Sequence, residues 1–431
     1  MGKQNSQYPN ANTIHRHQLP NGITVLIYEN FVTESVVIEG LVRTGSLAEI
    51  AAQAGLANMT SALLMRGTNQ RSFAQIYDAL ESVGAEVVFG SGYHHTSFSG
   101  QGLVEDLDLL LEVVAQSLRG PTFPAVQVEQ LRGQIMTGLQ MRASDTGQMA
   151  LLSFREALYQ EHPYGRSQRG YDHTIPTITR EDIANFHQRH FGPQGMIVTV
   201  VGAVKAAAAL AKVEALFGDW QVPAQQVVSS VADVARPERV VKTAVSIPDK
   251  SQADLVIGLP GPRRSVPDYL DASLMNTILG VFGMMGRIGQ TVREEQGLAY
   301  YAYSRLQGGL GPTPWMACAG VAPGDIDKAT NSILQEIERI QNELISPEEL
   351  ADSQTYRIGS LPVGLETNAG MADVITDMEL YELGLDYLLH YPDLIRDITQ
   401  ERIQTAAQKY LSSEQVVVAV AGPPSQRIAP S

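Results

Sequence analysis

A segment from the middle of this chain returns 220 positions later, near its end. Residues 177–202 read TITREDIANFHQRHFGPQGMIVTVVG and residues 397–422 read DITQERIQTAAQKYLSSEQVVVAVAG. In register they share Ile178/Ile398, Thr179/Thr399, Glu181/Glu401, Ile183/Ile403, Gln188/Gln408 and Gly202/Gly422. Each copy reads as a helix capped by threonine, with an acidic residue in its first turn, leading into a β-branched strand that stops at glycine. The same offset sets a strand ending near Gly45 and a helix over Ala51–Met65 against Leu255–Pro260 and Tyr269–Leu279. Duplication over such a distance excludes a single continuous core and predicts two copies of one unit. A length of 431 residues suits two domains of about 200 each. The predicted division is 1–220, a polar, proline-containing linker at 221–239 that follows Leu216-Phe217-Gly218-Asp219-Trp220, and 240–431.

Within the first copy, the patterns predict strands at Gly22–Tyr28, Ser35–Thr44, Ala85–Ser91, Thr96–Gln101 and Met196–Val201. Helices are predicted at Ala51–Met65, Phe73–Val83, Leu103–Ser117, Ala125–Met141 and Arg180–His190. The irregular alternation points to an α+β class: two homologous domains, each a mixed, mostly antiparallel sheet packed against helices. Apolar residues make up 44% and charged ones 18%, enough for a sizeable core. A net charge of −15 argues against nucleic acid and anionic membranes as partners and is compatible with a basic peptide. Cys318 is the only cysteine, so no disulfide forms within the chain and a reducing compartment is expected. Met1–Gln18 lacks an apolar signal core, and no stretch has the 18 or more apolar residues of a membrane span. Met1–Ser6 formally fits a myristoylation pattern, which at this length we read as chance. The expectation is a cytoplasmic protein.

The stretch Thr291–Tyr303, TVREEQGLAYYAY, concentrates the chemistry. Its first half has helical composition, Gly297 supplies a stop, and the aromatic remainder suits a strand. One glycine corner therefore carries Arg293 on one side and Tyr300 on the other. A guanidinium and a phenol so placed can both donate to an oxygen that gains negative charge. Taken by themselves, the same residues read first as a surface arginine and a core tyrosine. His94 and His95 are adjacent, so a strand or turn would point them to opposite faces, and no acidic residue or cysteine is close in sequence. His187 and His190 face Ala407 and Tyr410 in the second copy, which favours solvated or capping roles. Ser61 lacks a nucleophile-elbow context. The glycine-rich run Leu279–Gly289 follows a helical pattern rather than a strand, which argues against a phosphate loop and for a flexible wall. Gly308–Pro312 reads as a flexible loop, and Trp315 and Cys318 as core.

The order of segments resembles the pitrilysin-type, M16-like zinc peptidases, above all the short members that pair as two chains, such as the alpha-type subunits of the mitochondrial processing peptidases. The resemblance covers nearly the whole chain through Leu19-Pro20-Asn21-Gly22, His162-Pro163-Tyr164-Gly165, Phe217-Gly218-Asp219-Trp220 and Arg293–Tyr300. It implies an inverted His-x-x-Glu-His zinc motif in the first domain, with a glutamate ligand about 75 residues on. Two histidines one helical turn apart hold the metal, and the glutamate between them deprotonates its water. In Gly55–Thr68 the ligand positions fall on Asn58 and Ala62 and the general base on Ser61, while the distant glutamate falls on Gly138. Ala62 and Gly138 have no donor atom, Asn58 is a neutral amide, and Ser61 is no carboxylate base. Zinc is thus expected on another chain, and no cofactor on this one. The resemblance implies the non-zinc subunit of a heterodimeric endopeptidase. It would contribute Arg293 and Tyr300 to a peptide held by a homologous subunit with an intact motif, the pair closing around short unfolded peptides. The alternative it implies is a catalytically inactive scaffold or a peptide-binding protein of the same fold.

Overall fold

A computed structural model of the protein describes residues 8–228 and 230–424; the Met1–Ser6 pattern lies outside them. In the first half, strands β1 (Ile14–Gln18), β2 (Thr24–Glu29), β3 (Ser35–Val42), β4 (Glu86–Ser91), β5 (Thr96–Leu103) and β6 (Ile197–Gly202) form one sheet in the order β1-β2-β6-β3-β5-β4. Helices α1 (Leu56–Leu63), α2 (Phe73–Glu81), α3 (Leu107–Arg119), α4 (Ala125–Ala143), α5 (Thr146–Tyr159), α6 (Arg180–His190) and α7 (Ala206–Phe217) accompany them. The second half adds β7 (Val241–Ser246), β8 (Ala253–Pro260), β9 (Ala299–Leu306), β10 (Pro314–Val321) and β11 (Val417–Gly422), in the order β7-β11-β8-β10-β9. Its helices are α8 (Tyr269–Gly280), α9 (Phe282–Gly289), α10 (Ile326–Asn342), α11 (Pro347–Gly364), α12 (Asn368–Leu380), α13 (Tyr387–Arg396) and α14 (Gln400–Tyr410), with a π turn at Gln290–Glu295 after α9.

The duplication is literal. Helices α6 and α14, and strands β6 and β11, span the same positions at an offset of 220. Thr179 Oγ1 accepts from the Asp182 amide at 3.1 Å and Thr399 Oγ1 from the Arg402 amide at 3.3 Å, so both caps form as the sequence requires. In each sheet this strand runs parallel to one neighbour (β2 or β7) and antiparallel to the other (β3 or β8). The remaining pairings are antiparallel. The α+β class expected from the sequence is therefore the architecture found.

Two predicted helices start late. Instead of a helix over Ala51–Met65, a short 3-10 turn at Ala51–Gln53 is followed by Gly55 at φ +98°, and α1 begins at Leu56. The buried carboxylate of Glu49 explains the break. It accepts from the amides of Gly55 at 3.1 Å and Ala57 at 2.8 Å, capping α1 from outside the helix. Likewise β5 runs on to Leu103, so α3 starts at Leu107. Gly280 abuts the Ser304 backbone, and α9 passes directly into the π turn. The glycine-rich run is helix over most of its length rather than a flexible wall.

The chain forms two compact units that are not contiguous in sequence. One holds the described residues through Thr137, Ser167–Ser229 and Leu361–His390; the other holds Gly138–Arg166, Ser230–Ser360 and the described residues from Tyr391. A division at 220 and 240 therefore misses an exchange of segments. Helix α12, from the second half, lies on β6 and β3, with Thr199 and Thr376 hydroxyls 2.7 Å apart and Arg16 bound to Glu379 at 2.7 Å. Helix α5, from the first half, lies on β11, β8 and β7, with Ser153 and Thr243 hydroxyls 2.8 Å apart. Each sheet so buries one face under a helix from the other half. Among the described residues, no helix is long and apolar enough to cross a membrane.

Candidate active-site corner

Arg293 sits in the π turn and Tyr300 at the start of β9, both in the second unit. Between them Gly297 takes φ +62°, with open space where a side chain would stand. Its amide donates to the Arg293 carbonyl at 3.1 Å, and the Leu298 amide donates to Val292 at 2.9 Å. This is a glycine C-cap in which each bond reaches one residue further back than after an α-helix, as a π turn requires. Val292 and Leu298 are buried beneath the corner.

Across the ladder Gly320 faces Tyr301 and Val321 faces Ala299, so Tyr300 is the extra residue of a β-bulge. A bulge bends the strand and re-aims a side chain, and β9 is an edge strand. Tyr300 is accordingly 80% exposed, not a core tyrosine. Arg293 is about one-third exposed, with Nε 3.5 Å from the carboxylate of its neighbour Glu294. An exposed pair of this kind is worth at most about 1 kcal/mol, so the guanidinium is easily redirected to another acceptor.

Tyr301 turns to the opposite face. Its hydroxyl donates to Asp254, two strands away across Gly320, where a Cβ would collide with the Tyr301 ring. Thr146, at the start of α5, donates to the other oxygen of the same buried carboxylate. Beside this network a cavity of about 290 Å³ is lined by Tyr303, Arg305, Met316 and Cys318, among others. Burial pushes the Cys318 thiol up to about 11 and, with Cys318 nearby, the Tyr303 phenol up to about 12, so neither is a nucleophile near neutrality. The Asp254 network was not foreseen from sequence. Its only trace there is the alternation of Tyr301, Tyr303 and Arg305 along one strand.

On α1 the residues Leu56, Ala57, Met59, Thr60, Ser61 and Leu63 are buried, whereas Asn58 and Ala62 share the half-exposed stripe one turn apart. The register is that of an inverted motif, but the donors do not fit a metal. The Ser61 hydroxyl donates to the Asn58 carbonyl at 3.0 Å, inside its own helix. Gly138 is exposed on α4 with open space around it. Among the described residues no group of three or more His, Cys, Asp or Glu side chains is placed to hold a metal ion. These positions belong to the first unit, except Gly138, which begins the second.

The histidines are structural. His187 and His190 are buried, not solvated: His187 Nε2 lies 2.9 Å from the Leu118 carbonyl with its ring stacked on Phe191, and His190 Nδ1 lies 3.0 Å from the Gln226 carbonyl. Burial lowers both, His187 to about 4. His95, in the β4–β5 turn, is also held at about 4 by burial and the charge of Arg43, so it stays neutral. Trp315 and Cys318 are core residues of β10, with the indole donating to Asn276 at 2.9 Å.

Known proteins share the sequence pattern and the fold of this chain. Residues 24–171 match the family described as insulinase (peptidase family M16), and residues 177–356 match the peptidase M16 inactive domain. Similar curated proteins include an uncharacterized zinc protease of Mycobacterium bovis, 28% identical over 413 residues (95% of this chain and 93% of that protein). Another, from Streptomyces coelicolor, is 26% identical over 406 residues (93% and 87%). Among solved structures, a peptidase M16 inactive domain from Pseudomonas fluorescens has a TM-score of 0.87 at 24% identity, covering 96% of this chain and all of that one. A protease from Helicobacter pylori has a TM-score of 0.88 at 19% identity with the same coverage. With both halves matched in order and the fold shared over 96% of its length, the chain belongs to the peptidase M16 family.

Proposed function

We propose that this chain is the metal-free subunit of a two-chain M16 endopeptidase, lending Arg293 and Tyr300 to a peptide bond at the zinc of a homologous partner with an intact His-x-x-Glu-His. The supporting observation is that a built donor corner coexists with an α1 face unfit for metal. Gly297 and the bulge hold an exposed phenol away from its own sheet, while Asn58, Ser61 and Ala62 supply neither ligands nor base. In this reading the Tyr300 hydroxyl donates to the carbonyl oxygen as it becomes an oxyanion. Arg293 donates to a second substrate carbonyl or fixes the phenol. Metal and general base come from the partner, and this chain carries no cofactor. The substrate is an unfolded peptide rather than nucleic acid or membrane, consistent with a net charge of −15, and the compartment is the cytoplasm, consistent with one buried free cysteine.

The purified chain alone is expected to hold no stoichiometric zinc and to cleave no peptide, and addition of the partner to restore cleavage. Removing one oxyanion donor costs about 3–4 kcal/mol, so Tyr300→Phe should lower kcat about 10²–10³-fold while the complex stays intact by size-exclusion chromatography. Zinc-dependent cleavage by this chain alone, or an intact Tyr300→Phe complex at full rate, would overturn the assignment.

A further inference from the structure

Three polar side chains project from the helix that leads to the corner, at 287, 291 and 296. Arg287 Nε and Nη2 each bind the Glu349 carboxylate at 2.6 Å, at the start of α11. Thr291 Oγ1 donates to Glu336 Oε1 at 2.8 Å. Gln296 exchanges hydrogen bonds with the Ser332 hydroxyl, at 3.0 and 3.2 Å. The first interval is four residues, the spacing of one α-helical turn. The second is five, one turn of an i→i+5 helix. Under continued α winding, at 100° per residue, positions 291 and 296 would diverge by about 140°, and one of them would leave this face. The receiving groups, Ser332 and Glu336, are one turn apart on α10 and buried, at 4% and 6% exposure.

A buried carboxylate is costly unless something fixes it. Among the described residues Glu336 Oε2 has no hydrogen-bond partner, while Oε1 accepts from Thr291 and pairs with Arg339 at 3.7 Å. We propose that Ser332 and Glu336 are positioning residues: they hold the 290–295 turn in its π register and so fix the corner that carries Arg293 and Tyr300. Without them the turn relaxes toward α winding, and Arg293 rotates away while the corner loses its bonds at Gly297 and Leu298. The catalytic consequence rests on the heterodimer reading, but the structural one does not.

Two measurements on the full chain test this. Amide hydrogen exchange at Gly297 and Leu298 should speed up at least ten-fold in Glu336→Ala and in Ser332→Ala. It should stay near wild type in Glu336→Gln, which keeps the acceptor. Unchanged exchange in β10 and β11 verifies that each variant folds. In the reconstituted complex with a fluorogenic peptide, Glu336→Ala should lower kcat about ten-fold with KM unchanged, and Glu336→Gln should recover it. Wild-type exchange at Gly297 and Leu298 in both alanine variants would overturn the proposal. So would exchange in Glu336→Gln as fast as in Glu336→Ala, or faster exchange with full kcat in an active complex. If the wild-type complex cleaves nothing, the heterodimer reading falls, and the exchange result alone decides whether α10 holds the corner.

Discussion

At φ +62° Gly297 holds a backbone conformation that costs an L-residue about 1–2 kcal/mol, and no neighbouring atom crowds the position. A substitution there tests the conformation rather than the packing. Gly297→Ala should lower stability by about 1 kcal/mol, whereas Gly297→Asn, whose side chain tolerates left-handed geometry, should lose less. Thermal unfolding of the two variants checks this; equal stability of Ala and Gly would mean that the corner is not built as described. The glycine was legible in the sequence because it stands where helical composition gives way to strand-like composition. A chain that changes element without an intervening loop needs a residue free to take positive φ there. The exposure of Tyr300 was not legible. A tyrosine in an apolar strand reads as core, and only the bulge opposite Gly320 and Val321 turns it outward. His187 and His190 show the reverse failure: their buried state depends on carbonyls of Leu118 and Gln226, which no local pattern supplies.

Helices carry their own consequences. On the first sheet α12 sets Asp373 and Asp377 toward Glu39 of β3, whose carboxyl is pushed up to about 7, by burial first and those two charges after, against the hydrogen bond from Ser99. An acid whose folded pKa is raised stabilises the fold below its ordinary range, and that stability is lost as pH rises through the folded value. The docking of α12 should therefore weaken between about pH 5 and 8. Glu39→Gln should flatten the fall of the thermal midpoint over that window and leave the variant a few degrees more stable than wild type at pH 8. A wild-type midpoint that does not fall over that window would remove the basis for this expectation. The capped helices α6 and α14 were fully legible, since threonine caps and first-turn acids are local signals. The start of α1 was not, because its cap is the carboxylate of Glu49, outside the helix.

For the whole molecule the exchange of segments predicts how it can be divided. A fragment ending at 220 lacks α12 and leaves the β3–β6 face bare; one starting at 240 lacks α5. Each alone should be poorly soluble, and co-expression should recover a soluble complex. A separately folded 1–220 fragment with native-like near-ultraviolet dichroism would contradict this. Residue order was enough to reveal the duplication, the α+β class, the caps and the glycine corner, because each is written in local periodicity and residue type. Which helix covers which sheet, the outward phenol and the π turn packed on α10 emerge only in three dimensions. Those depend on groups brought together from positions far apart in the chain, and such pairing leaves no periodic mark on either partner.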